Sequence, residues 1–213
     1  MGREFISLFD HWADSYDDTV VGHDIQYQEV FRNYDGILDD VVRRSGERVL
    51  EFGPGTGNLT AKLLDAGKKV CAVEPSKAMR AIARGKLPKD TAILDGDFLD
   101  FPSVPFTPDT IVSSYAFHHL TNEEKQEAVG RYGKMLKKHG KIVFADTVFK
   151  DSEAFVSAVK QAKEKEFHQL AEDLETEHYP TLSEMETIFT SEQFRIAFQK
   201  HNDFVWVMEA AKL

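Results

Sequence analysis

The sequence is short of cysteine, of positive charge and of long apolar runs, and each shortage removes a class of protein. The lone cysteine, Cys71, excludes an intramolecular disulfide and any multi-thiolate zinc site. It lies in an apolar strand pattern and reads as a core residue. Lysine and arginine number 26 against 36 aspartates and glutamates, a net charge of −10. Neither a nucleic-acid backbone nor an anionic membrane is therefore expected as the main partner. No apolar run approaches the roughly 20 residues of a membrane-spanning helix, and Met1 to Ile6 lack the basic-then-apolar order of a signal peptide. The expectation is a cytoplasmic protein, monomer or homodimer, whose partner is a small molecule.

What is present is globular: 42% hydrophobic and 29% charged residues. A chain of 213 residues fits one domain, which we divide into N-terminal helices (1–45), a central core (46–150) and C-terminal helices with a β-hairpin (151–213). Over residues 3–19, Phe5, Leu8, Phe9, Trp12, Ala13 and Tyr16 make one apolar helical stripe. Tyr27, Val30, Phe31, Tyr34, Leu38 and Val41 make a second. Both stripes either pack on the sheet or cover a ligand as a lid.

From residue 48 strand and helix patterns alternate. Strands are predicted at 48–52, 69–73, 91–95, 109–114 and 141–146, with helices at 57–66, 76–86 and 121–138. This order implies right-handed crossovers and a parallel sheet covered on both faces. Thr121 with Glu124, and Thr181 with Glu184, form capping-box patterns; Ser76 is a further N-cap, and Gly67 and Gly140 are helix stops. A long helix is predicted over 151–174. Of the two final strands, Phe194 to Gln199 alternates as an edge strand does, whereas Phe204 to Met208 is apolar throughout, so the hairpin inserts its last strand inward.

The stretch Arg48-Val-Leu-Glu-Phe-Gly-Pro-Gly-Thr-Gly57 ends a strand in a carboxylate and three glycines. Glycines let the backbone turn sharply and approach a ligand, and the following helix aims its unpaired N–H groups back at it. No Gly-Lys-Ser/Thr follows, which argues against a triphosphate loop. Gly57 comes one residue early for a dinucleotide fingerprint, and Glu51 at the loop entrance favours a cationic ligand over a diphosphate.

These residues resemble the first motif of class I S-adenosylmethionine-dependent methyltransferases. Glu74, ending Val-Cys-Ala-Val-Glu, falls where that family has the acid that binds the ribose hydroxyls. Asp97, in Asp-Gly-Asp-Phe, falls at its acid for the adenine amine. Asp109 to Leu120 and Leu136 to Asp146 are similar to its later strand motifs, and Phe9 to Asp17 resembles the lead-in of small-molecule methyltransferases. Over its whole length the chain looks closest to the YrrT-like methyltransferase family. The resemblance implies a Rossmann-like, seven-stranded, mostly parallel sheet with a C-terminal antiparallel hairpin, helices on both faces and an N-terminal helical lid. It implies the cofactor S-adenosyl-L-methionine (SAM), giving S-adenosyl-L-homocysteine (SAH), bound by Glu51, Gly53, Gly55, Gly57, Glu74, Asp97, Phe98 and Ser114.

Methyl transfer from a sulfonium is an in-line displacement in which the cofactor supplies the electrophile. Alignment can supply roughly 7–11 kcal/mol of the barrier, so no catalytic signature is required. His118, His119 and Tyr16 are candidates with structural roles equally open; Asp146, His178 and Tyr179 are weaker ones, and 177–181 is an acceptor loop or a plain turn. No metal site is expected, because adjacent histidines do not readily converge on one ion and no third ligand is evident. A non-catalytic SAM/SAH sensor is the alternative to an enzyme, with a nicotinamide dehydrogenase behind both.

Overall fold

The computed structural model describes residues 12–13, 15–20 and 22–213. Phe5, Leu8 and Phe9 of the first stripe lie outside them, as do several residues of the Phe9–Asp17 motif. Seven strands form one sheet: β1 (Arg48–Phe52), β2 (Lys69–Glu74), β3 (Ala92–Asp95), β4 (Thr110–Ser114), β5 (Lys141–Thr147), β6 (Phe194–Lys200) and β7 (Val205–Lys212). Their spatial order is β3-β2-β1-β4-β5-β7-β6, parallel through β5, with β7 antiparallel to both β5 and β6. The apolar last strand is thus the inserted one, and the alternating strand is the edge.

The described helices are α1 (Tyr16–Val20), α2 (Tyr34–Arg44), α3 (Asn58–Asp65), α4 (Lys77–Lys86), α5 (Asn122–Met135), α6 (Ser152–Glu164), α7 (His168–Thr176) and α8 (Leu182–Ser191). Successive strand residues point to opposite faces, and two apolar clusters divide accordingly. Leu50, Phe52, Ile111, Ile142 and Phe144 pack with Tyr132 of α5 and Phe189 of α8. Val49, Val112, Val143 and Ala145 pack with Ile37 and Val41 of α2 and Leu59 and Leu63 of α3. A third cluster joins Val20, Tyr27, Val30 and Phe31 to Leu170, Ala171 and Leu174 of α7. The N-terminal aromatics therefore meet the C-terminal helices rather than the sheet alone.

Both capping boxes are present, Ser76 accepts from the Met79 N–H, and Gly67 sits at φ +75° beyond α3. Three details differ from the sequence pattern. The second stripe becomes helix only from Tyr34, after a run of turns. The helix predicted over 151–174 is two helices, because Glu166 takes φ +60° and turns the chain. Gly140 does not stop α5, which ends at Met135; the left-handed position there belongs to His139, at φ +67°.

Candidate active site

The strand order reverses between β1 and β4, where open α/β sheets leave a crevice at the carboxyl ends of their strands. The loop leaving β1 turns through Gly53 at φ +64° and Gly55 at φ +55°. A Cβ on Gly53 would stand 2.7 Å from that of Ala116, so the chain is glycine there for space as well as conformation. The Gly55 N–H donates to Glu74 Oε2 at 3.0 Å, and the Ser76 N–H donates to Glu74 Oε1 at 2.8 Å. Glu74 therefore ties the glycine turn to the start of α4. Asp97 closes a turn of its own, Oδ1 accepting from the N–H groups of Leu99 (2.9 Å) and Asp100 (2.8 Å). Phe98 stacks on Phe52 with centroids 5.5 Å apart. Gly53, Gly55, Glu74, Asp97 and Phe98 line a cavity together with Tyr16, Tyr34, Ser114, Tyr115 and His119.

Beyond β4 the chain bends at Tyr115, φ +53°, into a single 3-10 turn, Phe117–His119. The His118 N–H donates to Asp146 Oδ2 at 3.0 Å, and its Nδ1 lies 2.5 Å from Asp146 Oδ1. On the other side His118 Nε2 is 3.3 Å from Glu177 Oε2, while His119 Nδ1 is 3.4 Å from Glu177 Oε1. Tyr179 stacks on His118 at 4.8 Å and its hydroxyl donates to Glu177. Burial disfavours the imidazolium, but the Asp146 and Glu177 carboxylates outweigh it and hold the His118 pKa far above its ordinary value. His119 moves the opposite way, driven down by burial and by the charge on His118. The same imidazolium outweighs burial at Asp146 and Glu177 and lowers both.

Glu177 reaches this place because backbone bonds stitch its segment to the end of β5. The Phe149 N–H donates to Pro180 O and the Leu182 N–H to Phe149 O, both at 2.9 Å. The His178 N–H donates to His118 O at 3.1 Å. Fully buried Lys125 bonds both Leu120 O and His178 O. A second cavity opens on this cluster and is walled by Trp12, Tyr16, Tyr27, Tyr115, Asp173 and Tyr179. Asp173 accepts from the Tyr27 hydroxyl. Burial, with a smaller push from Glu177 and partly offset by that hydrogen bond, raises the Asp173 pKa to about 6.

Residues 49–140 match the methyltransferase-domain family. The chain is also 80% identical over 213 residues to an uncharacterized methyltransferase of Bacillus licheniformis, spanning all of both chains. It belongs to the methyltransferases. The uncharacterized methyltransferase YrrT of Bacillus subtilis is 63% identical over 212 residues, again over the full length of both. Among solved structures, the magnesium protoporphyrin IX methyltransferase of Synechocystis with bound SAH superposes with a TM-score of 0.70 over 97% of this chain and 98% of that one. At 14% identity that likeness is one of fold.

In this methyltransferase, six of the eight residues that the sequence resemblance marks for the cofactor, Gly53, Gly55, Glu74, Asp97, Phe98 and Ser114, line the first cavity. Glu51 and Gly57 do not. Glu51 is fully buried beneath the loop, where its Oε2 accepts from Thr60 Oγ1 at 2.6 Å. Burial, against the Thr60 hydrogen bond and with a smaller push from the Glu74 charge, raises its pKa to about 8. Gly57, at φ +91°, gives close approach to Leu87 and Ala83 instead. Tyr16 and His119 line both cavities and His118 the second, whereas the His178 side chain is exposed. Glu177 and Asp173 escaped the sequence reading as site residues. The only signal for Glu177 was the helix-breaking run 177–181 that it begins.

Proposed function

We propose that this methyltransferase takes its methyl group from SAM held in the first cavity and passes it to a small-molecule acceptor in the second. The observation that carries this reading is that the two cavities share a wall of Tyr16, Met79, Tyr115 and His119. The donor set suits an adenosyl sulfonium: a glycine turn open to close approach, two acids at successive strand ends, and the aromatic Phe98. Glu74 and Asp97 would hold ribose and adenine as the family resemblance implies. Bound SAM supplies an electrophilic methyl group. The chain's own residues fix its direction, and the Tyr16, Tyr34 and Tyr115 rings exclude water. The apolar and aromatic walls of the second cavity support a small acceptor rather than a polymer.

Calorimetry with SAM and SAH tests the cofactor half. Micromolar binding of SAH is the expected result, and no heat at millimolar ligand would reject it. Incubation with methyl-labelled SAM and a metabolite extract tests the transfer half. Label on a small metabolite supports an enzyme; tight SAH binding with no labelled metabolite would point to the sensor instead.

A further inference from the structure

We propose that His118, His119 and Glu177 form a binding site for one divalent transition-metal ion, of which Zn²⁺ is the type. Each residue offers one ligand atom, and the three lie within 4.8 Å of one another. Two donors each about 2.0–2.1 Å from a tetrahedral ion stand about 3.3 Å apart. The two His–Glu177 separations, 3.3 and 3.4 Å, are of that size, with His118 facing one carboxylate oxygen and His119 the other. All three side chains are at most 10% exposed.

The surroundings are those of a metal centre. Asp146 lies 2.5 Å from His118 Nδ1, which orients Nε2 toward Glu177, as outer carboxylates orient metal-bound histidines. The Tyr179 hydroxyl fixes Glu177 from behind. Asp146 and Glu177 bring two carboxylates to two imidazoles, so the cluster favours a cation. A His₂Glu set leaves a fourth position open in zinc enzymes. His119 lines both cavities, so the ion would sit at their junction. There it would take an acceptor hydroxyl or thiol, whose proton passes to solvent on coordination. That role rests on the methyl-transfer reading; metal binding itself does not.

The test uses tag-free, chelator-stripped full-length protein, titrated with Zn²⁺ by calorimetry and with Co²⁺ by visible absorption. One equivalent is expected, with the intense bands of tetrahedral Co²⁺. Addition of 2-mercaptoethanol is expected to produce a sulfur-to-cobalt charge-transfer band, and its absence would overturn the open position. His119→Gln and Glu177→Gln should each weaken binding at least about 10-fold, with far-ultraviolet circular dichroism confirming the fold. Wild-type protein that takes up no stoichiometric Co²⁺, or folded variants that bind as wild type does, would overturn the site. If one variant does not fold, the other and the wild-type stoichiometry decide. SAH calorimetry on the same stripped protein separates failure of this site from failure of the cofactor reading.

Discussion

His118 and Asp146 are joined twice, through the His118 backbone N–H to one carboxylate oxygen and through Nδ1 to the other, both residues being buried. The carboxylate thereby fixes the turn after β4 and the ring it carries. Removing one partner of a buried ion pair costs about 3–5 kcal/mol. In a chain of this size each kcal/mol moves the melting temperature by about 2–4 °C. Asp146→Asn should therefore melt about 10 °C lower than wild type. Asp146 does not line the first cavity, the proposed cofactor site, so SAH affinity should be unchanged in the folded variant. An unaltered melting temperature in scanning calorimetry would contradict the role.

Glu51 predicts a pH dependence. Its Oε1 has no hydrogen-bond partner among the described residues, and burial, with a smaller contribution from the Glu74 charge and against the Thr60 hydrogen bond, lifts its pKa from 4.5 to about 8. A carboxyl whose folded pKa is raised contributes stability fully below its unfolded pKa and loses it as pH rises through the folded one. Glu51→Gln keeps the Thr60 partner and cannot ionise. Its melting temperature relative to wild type should rise between pH 4.5 and 8. Each pKa unit is worth about 1.4 kcal/mol, so a gain of at least about 4 °C is expected. A gap that stays flat from pH 5 to 8, within about 1 °C on the same scale, would mean the buried carboxyl is not neutral.

Asp97 both closes a turn and lines the first cavity, and two variants separate the structural role from the proposed adenine role. Asp97→Asn retains an Oδ1 acceptor for the Leu99 and Asp100 N–H groups while losing the charge at the cavity wall. A hydrogen bond to a charged group is worth about 1.5–3 kcal/mol, so SAH affinity should fall about 10- to 100-fold with little change in melting temperature. Asp97→Ala should show the same loss of affinity and also melt lower. Calorimetric titration and thermal melts of the pair check this; Asn binding like wild type would remove Asp97 from the adenine role.

The fold was legible where sequence pattern and local chemistry agree. Thr121, Thr181 and Ser76 cap the helices their neighbours predict, and Phe204 to Met208, apolar on both sides, lies between β5 and β6. Breaks without glycine or proline were not legible. Glu166 and His139 adopt left-handed conformations that nothing in their own side chains announces, imposed by packing of α6 on α7 and by the approach to β5. The wall of the first cavity was readable because its residues follow consecutive strands at fixed spacings. Glu177 was not, since it meets His118 only through long-range bonding of Pro180 and Leu182 to Phe149. Glu51 stands at its expected place in the chain, but its side chain is buried against Thr60 and does not line the first cavity. A carboxylate at the end of a strand can face the crevice or the layer beneath, and the alternation of side chains along β1 turns this one under the loop.

The two glycines of the β1 loop should respond differently to a single methyl group. In Gly53→Ala the new Cβ would meet the Ala116 Cβ at 2.7 Å, on a backbone at φ +64°. Backbone strain of about 1–3 kcal/mol and overpacking of about 1–3 kcal/mol then act together, so the variant should melt well below wild type. In Gly55→Ala the Cβ meets nothing within 4 Å among the described residues, leaving the left-handed backbone at φ +55° as the cost to the fold. That cost is about 1–2 kcal/mol, a few degrees of melting temperature. Gly55 nevertheless lines the first cavity, so with SAM held there as proposed its methyl group should take up ligand space and weaken SAH by at least about tenfold, about 1.4 kcal/mol. Thermal melts and SAH titrations of the two variants distinguish the roles. If Gly55→Ala binds SAH as wild type does, the adenosyl group does not approach the loop at Gly55; if Gly53→Ala melts as wild type does, the contact with Ala116 does not constrain the turn.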